Sequence, residues 1–479
     1  MGLHQRYARL LQGTPLTLAA TDGKHLMREH LTRLFRGMMQ ALFRQQGASL
    51  DISILTSDEA QQFINGHAAV LDSSFAQVPM SETMRRRLTR STYVFSGMKT
   101  FHELNEAFPS LLDEDGNRKP FERFLNDVRR IDETYNRHYL RAEYNFVHAS
   151  AQAAARWEQF MQDGDRYHLQ YRTAADSRVR PEHADLHGVT LPPSDPFWEE
   201  FYPPNGWNCR CTVVQVRKGK HPATDPDEAH ARGEAALQLD KKGMFRFNPG
   251  RQQKAVPDYN PYTISQCRQC DVPDGTSLEM ARRTPPANEL CAACRLIRKQ
   301  QQRDTARDIY RRLKADPDYT DVQFDEQTGG VKATHRGHSF EETVGKYGIP
   351  RGEYEKITAD ALYKKGYVVE LIKEDDHTQG VPQPDGYING SLMDIKGIEG
   401  NPLYALNRAN KQRVETAVLY FHDANAFSQE QVAAKYAQLG SWLEYTRGKK
   451  IPVCIKKVIC IVNKGKEGFD LIEIKNPEE

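Results

Sequence analysis

Two carboxylates and an amine stand close together near the C-terminal end of the chain, in the run PDGYINGSLMDIK that begins at Pro384 and ends at Lys396. One apolar residue, Ile395, separates Asp394 from Lys396. On a β-strand, positions i and i+2 point to the same face. A strand here therefore aims Asp394 and Lys396 into one space, with Asp385 at the preceding bend. Such a group suits a hard divalent cation, Mg²⁺ or Mn²⁺, held by Asp385, Asp394 and the backbone carbonyl of Ile395. The cation would activate a water and stabilise charge on a scissile phosphodiester. Lys396 is placed to orient that water or to neutralise charge developing on the phosphorane.

The elements that must hold these residues can be read on either side. EYEKITADALYKKG forms a helix that carries Glu355, and Gly366 ends it. YVVELIKE and SLMDIK read as strands, and NPLYALNRANKQRVE as a basic helix with Pro402 in its first turn. TAVLYF is apolar throughout, as a strand buried on both faces should be. A further helix, SQEQVAAKYAQLGSWLEYTRG, precedes a closing hairpin of VCIKKVICIVNKG and FDLIEIK. Residues 329–479 are thus expected to form an α/β domain, a four- or five-stranded mixed sheet with helices on both faces. Glu355 would complete the metal shell or position the attacking water. Gln412 would touch the phosphate or the motif carboxylates, and Arg408 and Lys411 the flanking nucleic-acid backbone. Glu370, Glu374 and His377 are the next candidates.

The order helix, three strands, helix, strand around Asp385 and Asp394-Ile395-Lys396 resembles the PD-(D/E)xK nuclease fold. The phrase PDGYING…DIK also resembles the C-terminal toxin nuclease domains of bacterial contact-dependent inhibition systems, over about residues 350–475. That resemblance implies a metal-dependent endonuclease, a tRNA- or RNA-cleaving toxin with an immunity protein as partner. The chain departs from many of those relatives in carrying Asp394 where they carry Glu. RNA and DNA both remain open as substrate.

The cysteines are clustered. Cys267-x-x-Cys270 and Cys291-x-x-Cys294 pair two knuckles. Their spacing fits a tetrahedral structural Zn²⁺ site within residues 261–300, with no open coordination position. Earlier, His183 and His187 lie four apart and are followed by Cys209-Arg210-Cys211. These four make a second zinc cluster a candidate, against a rigid aromatic loop with buried thiols, or a zinc hydrolase site.

Residues 1–165 read mostly as helix, with a long second helix running from Asp127 to Gly164. The run AEYN…AQAAARW, then YRTAADSRVRPEHADLHG, then YPPNGWNCRC, resembles the phage Mu F-like minor head proteins of the head-morphogenesis family, over about residues 30–216. Asp176, Arg180, His183, His187, Cys209 and Cys211 occupy its motif positions. The resemblance implies phage portal or capsid proteins as partners and a place in the virion or procapsid, after synthesis in the bacterial cytoplasm. It supplies no catalytic mechanism.

Composition is compatible with this division. The 479 residues carry a net charge of +2, 39% apolar and 27% charged residues, which suits several soluble domains and argues against nucleic-acid binding through bulk charge. No run approaches the roughly 18 apolar residues of a membrane span, so no membrane partner is expected. The expected architecture is multidomain: a mainly α head module at 1–165, the Mu F-like motif region at 166–216, a linker at 217–260, the zinc knuckle, a basic helical connector at 301–328, and the α/β nuclease-like domain. A structural minor head protein, whose last domain binds nucleic acid or a partner without cleavage, is the alternative.

Overall fold

The computed structural model describes residues 21–263, 287–373, 382–447 and 452–475. It divides into two compact units, with the boundary between Gln301 and Gln302.

The first unit is built on five long helices: α1 Thr21–Arg44, α2 Asp58–Ser73, α3 Glu82–Ala107, α4 Phe121–Asp132 and α5 Leu140–Asp163. Helical spacing puts Leu31, Phe35, Met38 and Leu42 of α1 into a common core with Phe63 of α2 and Phe101 of α3. Ser57 and Ser81 cap α2 and α3, their hydroxyls accepting from Ala60 N and Met84 N. The long second helix expected over Asp127–Gly164 is interrupted. A π-helical segment, Glu133–Tyr139, separates α4 from α5, and Gly164 at φ 56° ends α5.

That segment borders a buried polar network. Lys99, fully buried on α3, donates to Glu143 Oε2 at 2.7 Å and to the Tyr135 carbonyl at 2.8 Å, and lies 3.0 Å from His67 Nε2. Tyr262 OH donates to the other Glu143 oxygen at 2.9 Å. The Tyr135 carbonyl that accepts from Lys99 lies within the π-helical segment.

Beyond α5, a three-stranded antiparallel sheet forms in the order β2 (Thr190–Leu191), β1 (His168–Arg172), β3 (Thr212–Val216). It packs with Trp157, Trp198 and Phe201 into a second core. Residues 217–260, read as a connector with one short helix, hold helix α6 (Pro226–Ala236), but Phe245, Phe247 and Val256 lie buried in the two cores of this unit, so the stretch is packed. The Gly, Pro and Lys content that suggested a connector builds turns between apolar anchors instead.

Helix α7 (Ala287–Ala315) begins before the basic helical connector expected at 301–328 and includes the boundary residues. The second unit is an eight-stranded mixed sheet rather than a four- or five-stranded one. Its order is β11 (Phe469–Lys475), β10 (Lys457–Asn463), β9 (Thr416–Phe421), β8 (Ser391–Gly397), β7 (Gly386–Ile388), β6 (Val368–Leu371), β5 (Val331–His335), β4 (Tyr319–Phe324). The additional strands are β4 and β5, which overlap the strand-like runs VQFDEQTGG and VKATHRGHSF and pair antiparallel, and β7, which reads locally as part of the bend after Pro384. Helix α8 (Arg351–Lys364) covers one face through Tyr354, Ala359 and Leu362. Helices α9 (Pro402–Lys411) and α10 (Gln429–Arg447) cover the other. β9 is buried along its whole length, as its apolar sequence requires.

Candidate functional site

The central hairpin of the second unit carries the carboxylates. β7 and β8 pair antiparallel around Asn389-Gly390, both at positive φ, 49° and 85°. This is the dipeptide that a tight two-residue turn favours. Gly386 is required where β7 meets β6: a Cβ there would lie 2.0 Å from the Glu370 carbonyl oxygen. Asp385, just before it, is tied to β8 by a hydrogen bond from Ile395 N to its Oδ2 at 2.5 Å.

Met393 and Ile395 enter the layer beneath α8, so period-two alternation turns Asp394 and Lys396 the opposite way. Asp394 is fully buried. Its Oδ2 lies 2.8 Å from Lys396 Nζ, which is 3.6 Å from Asp385 Oδ2. Lys396 Nζ also donates to the Ile395 carbonyl at 3.0 Å. Asp394 Oδ1 has no hydrogen-bond partner among the described residues.

Burial, followed by the charge of Asp385, pushes the Asp394 carboxyl up to about 7. Burial also raises Glu355, whose charge is felt by Asp394 and Lys396. For Lys396 burial acts against the charge, but Asp385 and Asp394 more than offset it and hold the ammonium above its ordinary range. Asp385, Asp394 and Lys396 therefore share a desolvated space with surplus negative charge, to which the charge of Glu355 on α8 adds. Hard oxygen donors with that surplus fit a divalent cation.

Sequence reasoning missed His338. Its Nδ1 lies 2.8 Å from the Ile372 carbonyl and its Nε2 3.0 Å from Glu355 Oε2. The carbonyl only accepts, so Nδ1 carries a proton, and Nε2 and Glu355 hold one more between them. No spacing signal pointed to this pair, because the loop after β5 brings His338 to α8 only in the folded sheet.

Other expected residues fall elsewhere. Gln412 Oε1 accepts from Gln383 N at 2.6 Å, bracing the segment that leads to Asp385. Arg408 and Lys411 are exposed on α9. Glu370 accepts from Tyr319 OH and lies 3.7 Å from Arg312. Glu374 and His377 lie outside the described residues, as do Cys267 and Cys270. Cys291 and Cys294 sit in the first turns of α7, with Cys294 buried.

In the first unit, the segment between β1 and β3 gathers the other motif residues. Asp176 takes both terminal nitrogens of Arg210, at 2.5 and 2.6 Å. Arg180 Nη2 donates to the Trp207 carbonyl at 2.6 Å. His183 Nδ1 lies 3.8 Å from Cys209 Sγ and 3.9 Å from Cys211 Sγ. The paired thiols differ: a hydrogen bond from Cys211 pulls Cys209 well below the usual thiol range, and the same bond pushes Cys211 up. His187 departs from the expected four-residue cluster. Its Nδ1 faces Thr173 Oγ1 at 2.9 Å.

Comparison with known proteins identifies this segment. Residues 116–214 match the family model described as Phage Mu protein F like protein. The chain carries a Phage Mu F-like region. It is 40% identical over 168 residues to a putative capsid assembly protein F of Escherichia phage Mu, covering 32% of this chain and 36% of the relative. It is 43% identical over 65 residues to a Mu-like prophage F protein of Haemophilus influenzae, covering 13% of this chain and 16% of that one. An uncharacterized protein of Methanocaldococcus jannaschii is 47% identical over 47 residues, 10% of this chain and 7% of the relative. The chain thus spans about a third or less of the length of these relatives. No solved structure matches. The matched family region contains Asp176, His183 and Cys209, and lies wholly outside the carboxylate cluster. Among the described residues no helix is long and apolar enough to cross a membrane.

Proposed function

We propose that the chain is a head-associated protein of a phage or prophage, and that its second unit is a PD-(D/E)xK-type nuclease that hydrolyses phosphodiester bonds, with tRNA or other RNA as substrate. The Mu F-like region and its similarity to a protein named for capsid assembly support the first half. Portal and capsid proteins are the partners this implies. An immunity protein is the partner that the toxin reading adds.

The observation that carries the nuclease half is the pair of buried aspartates, Asp385 and Asp394, facing Lys396, with Asp394 Oδ1 unpartnered among the described residues. Asp385, Asp394 and the Ile395 carbonyl would hold Mg²⁺ or Mn²⁺, which when bound supplies Lewis-acid activation of water and charge neutralisation at the phosphate. Lys396, held charged by its two aspartates, stabilises the oxyanion and orients the nucleophile. The Glu355–His338 pair carries a proton next to that group and can take one from the attacking water. Arg408 and Lys411 add backbone contacts. Cys291 and Cys294, with Cys267 and Cys270, are proposed to hold a structural Zn²⁺.

The test incubates the full chain with tRNA and with plasmid DNA, in Mg²⁺ or EDTA. Cleavage of tRNA that needs Mg²⁺ and disappears in Asp394→Ala and Lys396→Ala is expected. Folded protein that cuts neither substrate would overturn the nuclease reading.

A further inference from the structure

We infer that the Mu F-like region holds a zinc ion on three protein ligands, His183 Nδ1, Cys209 Sγ and Cys211 Sγ, with an exchangeable fourth position. This inference stands apart from the nuclease reading and from the four-cysteine knuckle. The three donor atoms lie within 4.8 Å of one another. Zinc binds thiolate sulfur at about 2.3 Å and imidazole nitrogen at about 2.0–2.1 Å, and a tetrahedral angle between them sets the nitrogen about 3.6 Å from each sulfur. The observed separations of 3.8 and 3.9 Å already approach two edges of that tetrahedron.

The surroundings hold this arrangement. Cys209 and Cys211 flank Arg210 just before β3, and Arg210 is clamped by both oxygens of Asp176. Two cysteines so close can converge only if the peptide between them is fixed. His183 is delivered from the other side by the short helix Pro181–Ala184, whose first turn closes on the Arg180 carbonyl. Arg180 in turn is anchored on the Trp207 carbonyl.

The fourth position is not taken by the remaining motif histidine: His187 is turned to Thr173. Tyr171 OH bonds Cys211 and donates to Asn205 Oδ1 at 2.9 Å, so it holds a proposed ligand in place. A cavity of about 290 Å³ opens directly on His183, Cys209 and Cys211, and its wall carries Arg178, Arg180 and Arg210. Two thiolates neutralise a zinc ion, and Asp176 matches one of the three guanidiniums. The remaining positive charge favours an anion as the exchangeable ligand. Three protein ligands with one open position is the pattern that separates a reactive zinc from a closed structural one.

Metal analysis of the purified full chain tests this. Zinc content should fall by about one ion per chain in Cys209→Ser and in His183→Ala, and stay unchanged in His187→Ala. X-ray absorption at the zinc edge on the Cys291→Ser/Cys294→Ser chain isolates this site without altering it. Two sulfur and two nitrogen or oxygen neighbours are expected. Absence of zinc from that chain, or four sulfur neighbours, overturns the site. The cobalt-loaded form of the same chain should change its visible spectrum on adding azide; an unchanged spectrum overturns the open position.

Discussion

Each unit sets a lysine among carboxylates, Lys99 fully buried and Lys396 half-buried, and the two lysines do opposite things. Around Lys99 every donor has a target: Glu143, the Tyr135 carbonyl and His67. Tyr262 satisfies the second Glu143 oxygen. Burial pushes the Glu143 carboxyl up, but Lys99 and His67 more than offset it and bring it down to about 2. His67 is held neutral, burial and then Lys99 taking it down to about 4. Around Lys396 the count is unbalanced, and Asp394 is pushed up to about 7 with one oxygen unpartnered. The Lys99–Glu143 pairing is closed and fixes a core, although Glu103 beside it is fully buried, has an Oε1 without a hydrogen-bond partner among the described residues, and is pushed well above the carboxylate range by burial. A carboxylate raised by burial therefore does not by itself mark a site; two aspartates facing one lysine distinguish the second cluster.

The largest expected effect breaks the closed network. Lys99→Met leaves Glu143 buried without its cation, and losing one partner of a buried pair costs about 3–5 kcal/mol. Thermal and denaturant unfolding of the full chain should show the first unit destabilised by that order. A variant as stable as the parent would mean that Glu143 finds another partner or a proton at little cost.

The next effect sets the two acids against each other by pH. Asp394 has a folded value raised above the unfolded value of 3.8. The folded state then binds more protons between about pH 4 and 7, and stability falls as pH rises through that window. Asp394→Asn removes this loss, so its stability relative to the parent should rise from pH 4 to pH 7 by a few kcal/mol, on the order that a shift of this size carries. Glu143 has a folded value lowered to about 2 from 4.5. Its contribution is present above about pH 4.5 and lost as pH falls toward 2. Glu143→Gln should therefore be most destabilising near neutral pH and less so in acid. Two curves of the same sign would refute the contrast. Mg²⁺ should narrow the Asp394→Asn difference by stabilising only the parent.

How much of this was readable follows the same physics. The approach of Asp394 to Lys396 was legible because strand alternation is a local rule. Most helices and strands of 350–475 were legible too, but β7 was not, because Gly386–Ile388 is a short strand defined by its pairing with β6 and β8 and reads locally as a bend. His338 was not, since it meets Glu355 only through sheet pairing of β5 with β6. The buried Lys99 and Glu143 were not legible either. Each looks like an ordinary charged residue on a helix, and only the packing of α3 on α5 removes them from water. The motif cysteines and His183 were visible, but the separation of His187 from them depends on which way one short helix faces.

A smaller effect concerns the proton shared beside the open cluster. His338→Ala removes the partner of Glu355 but no metal-facing carboxylate. Loss of such an outer partner costs roughly ten- to a hundredfold in activity. Cleavage of tRNA by the full chain should fall by that factor, and its pH profile should shift, since Glu355 would titrate without the imidazole. A uniform loss at every pH would reduce His338 to a packing residue.

The smallest effect separates bracing from chemistry. Gln412 was expected to touch the phosphate or the carboxylates, but its oxygen accepts from Gln383 N instead. Gln412→Ala removes one hydrogen bond from the segment entering Asp385, worth about 0.5–1.5 kcal/mol. The open cluster keeps all its charges, so Mg²⁺ affinity measured by calorimetry should weaken by about tenfold or less, the factor that such an energy supports. Asp394→Asn, which deletes a ligand, should abolish binding in the same titration. Equal losses in the two variants would put Gln412 on the metal itself and return it to the role its place on the basic helix first suggested.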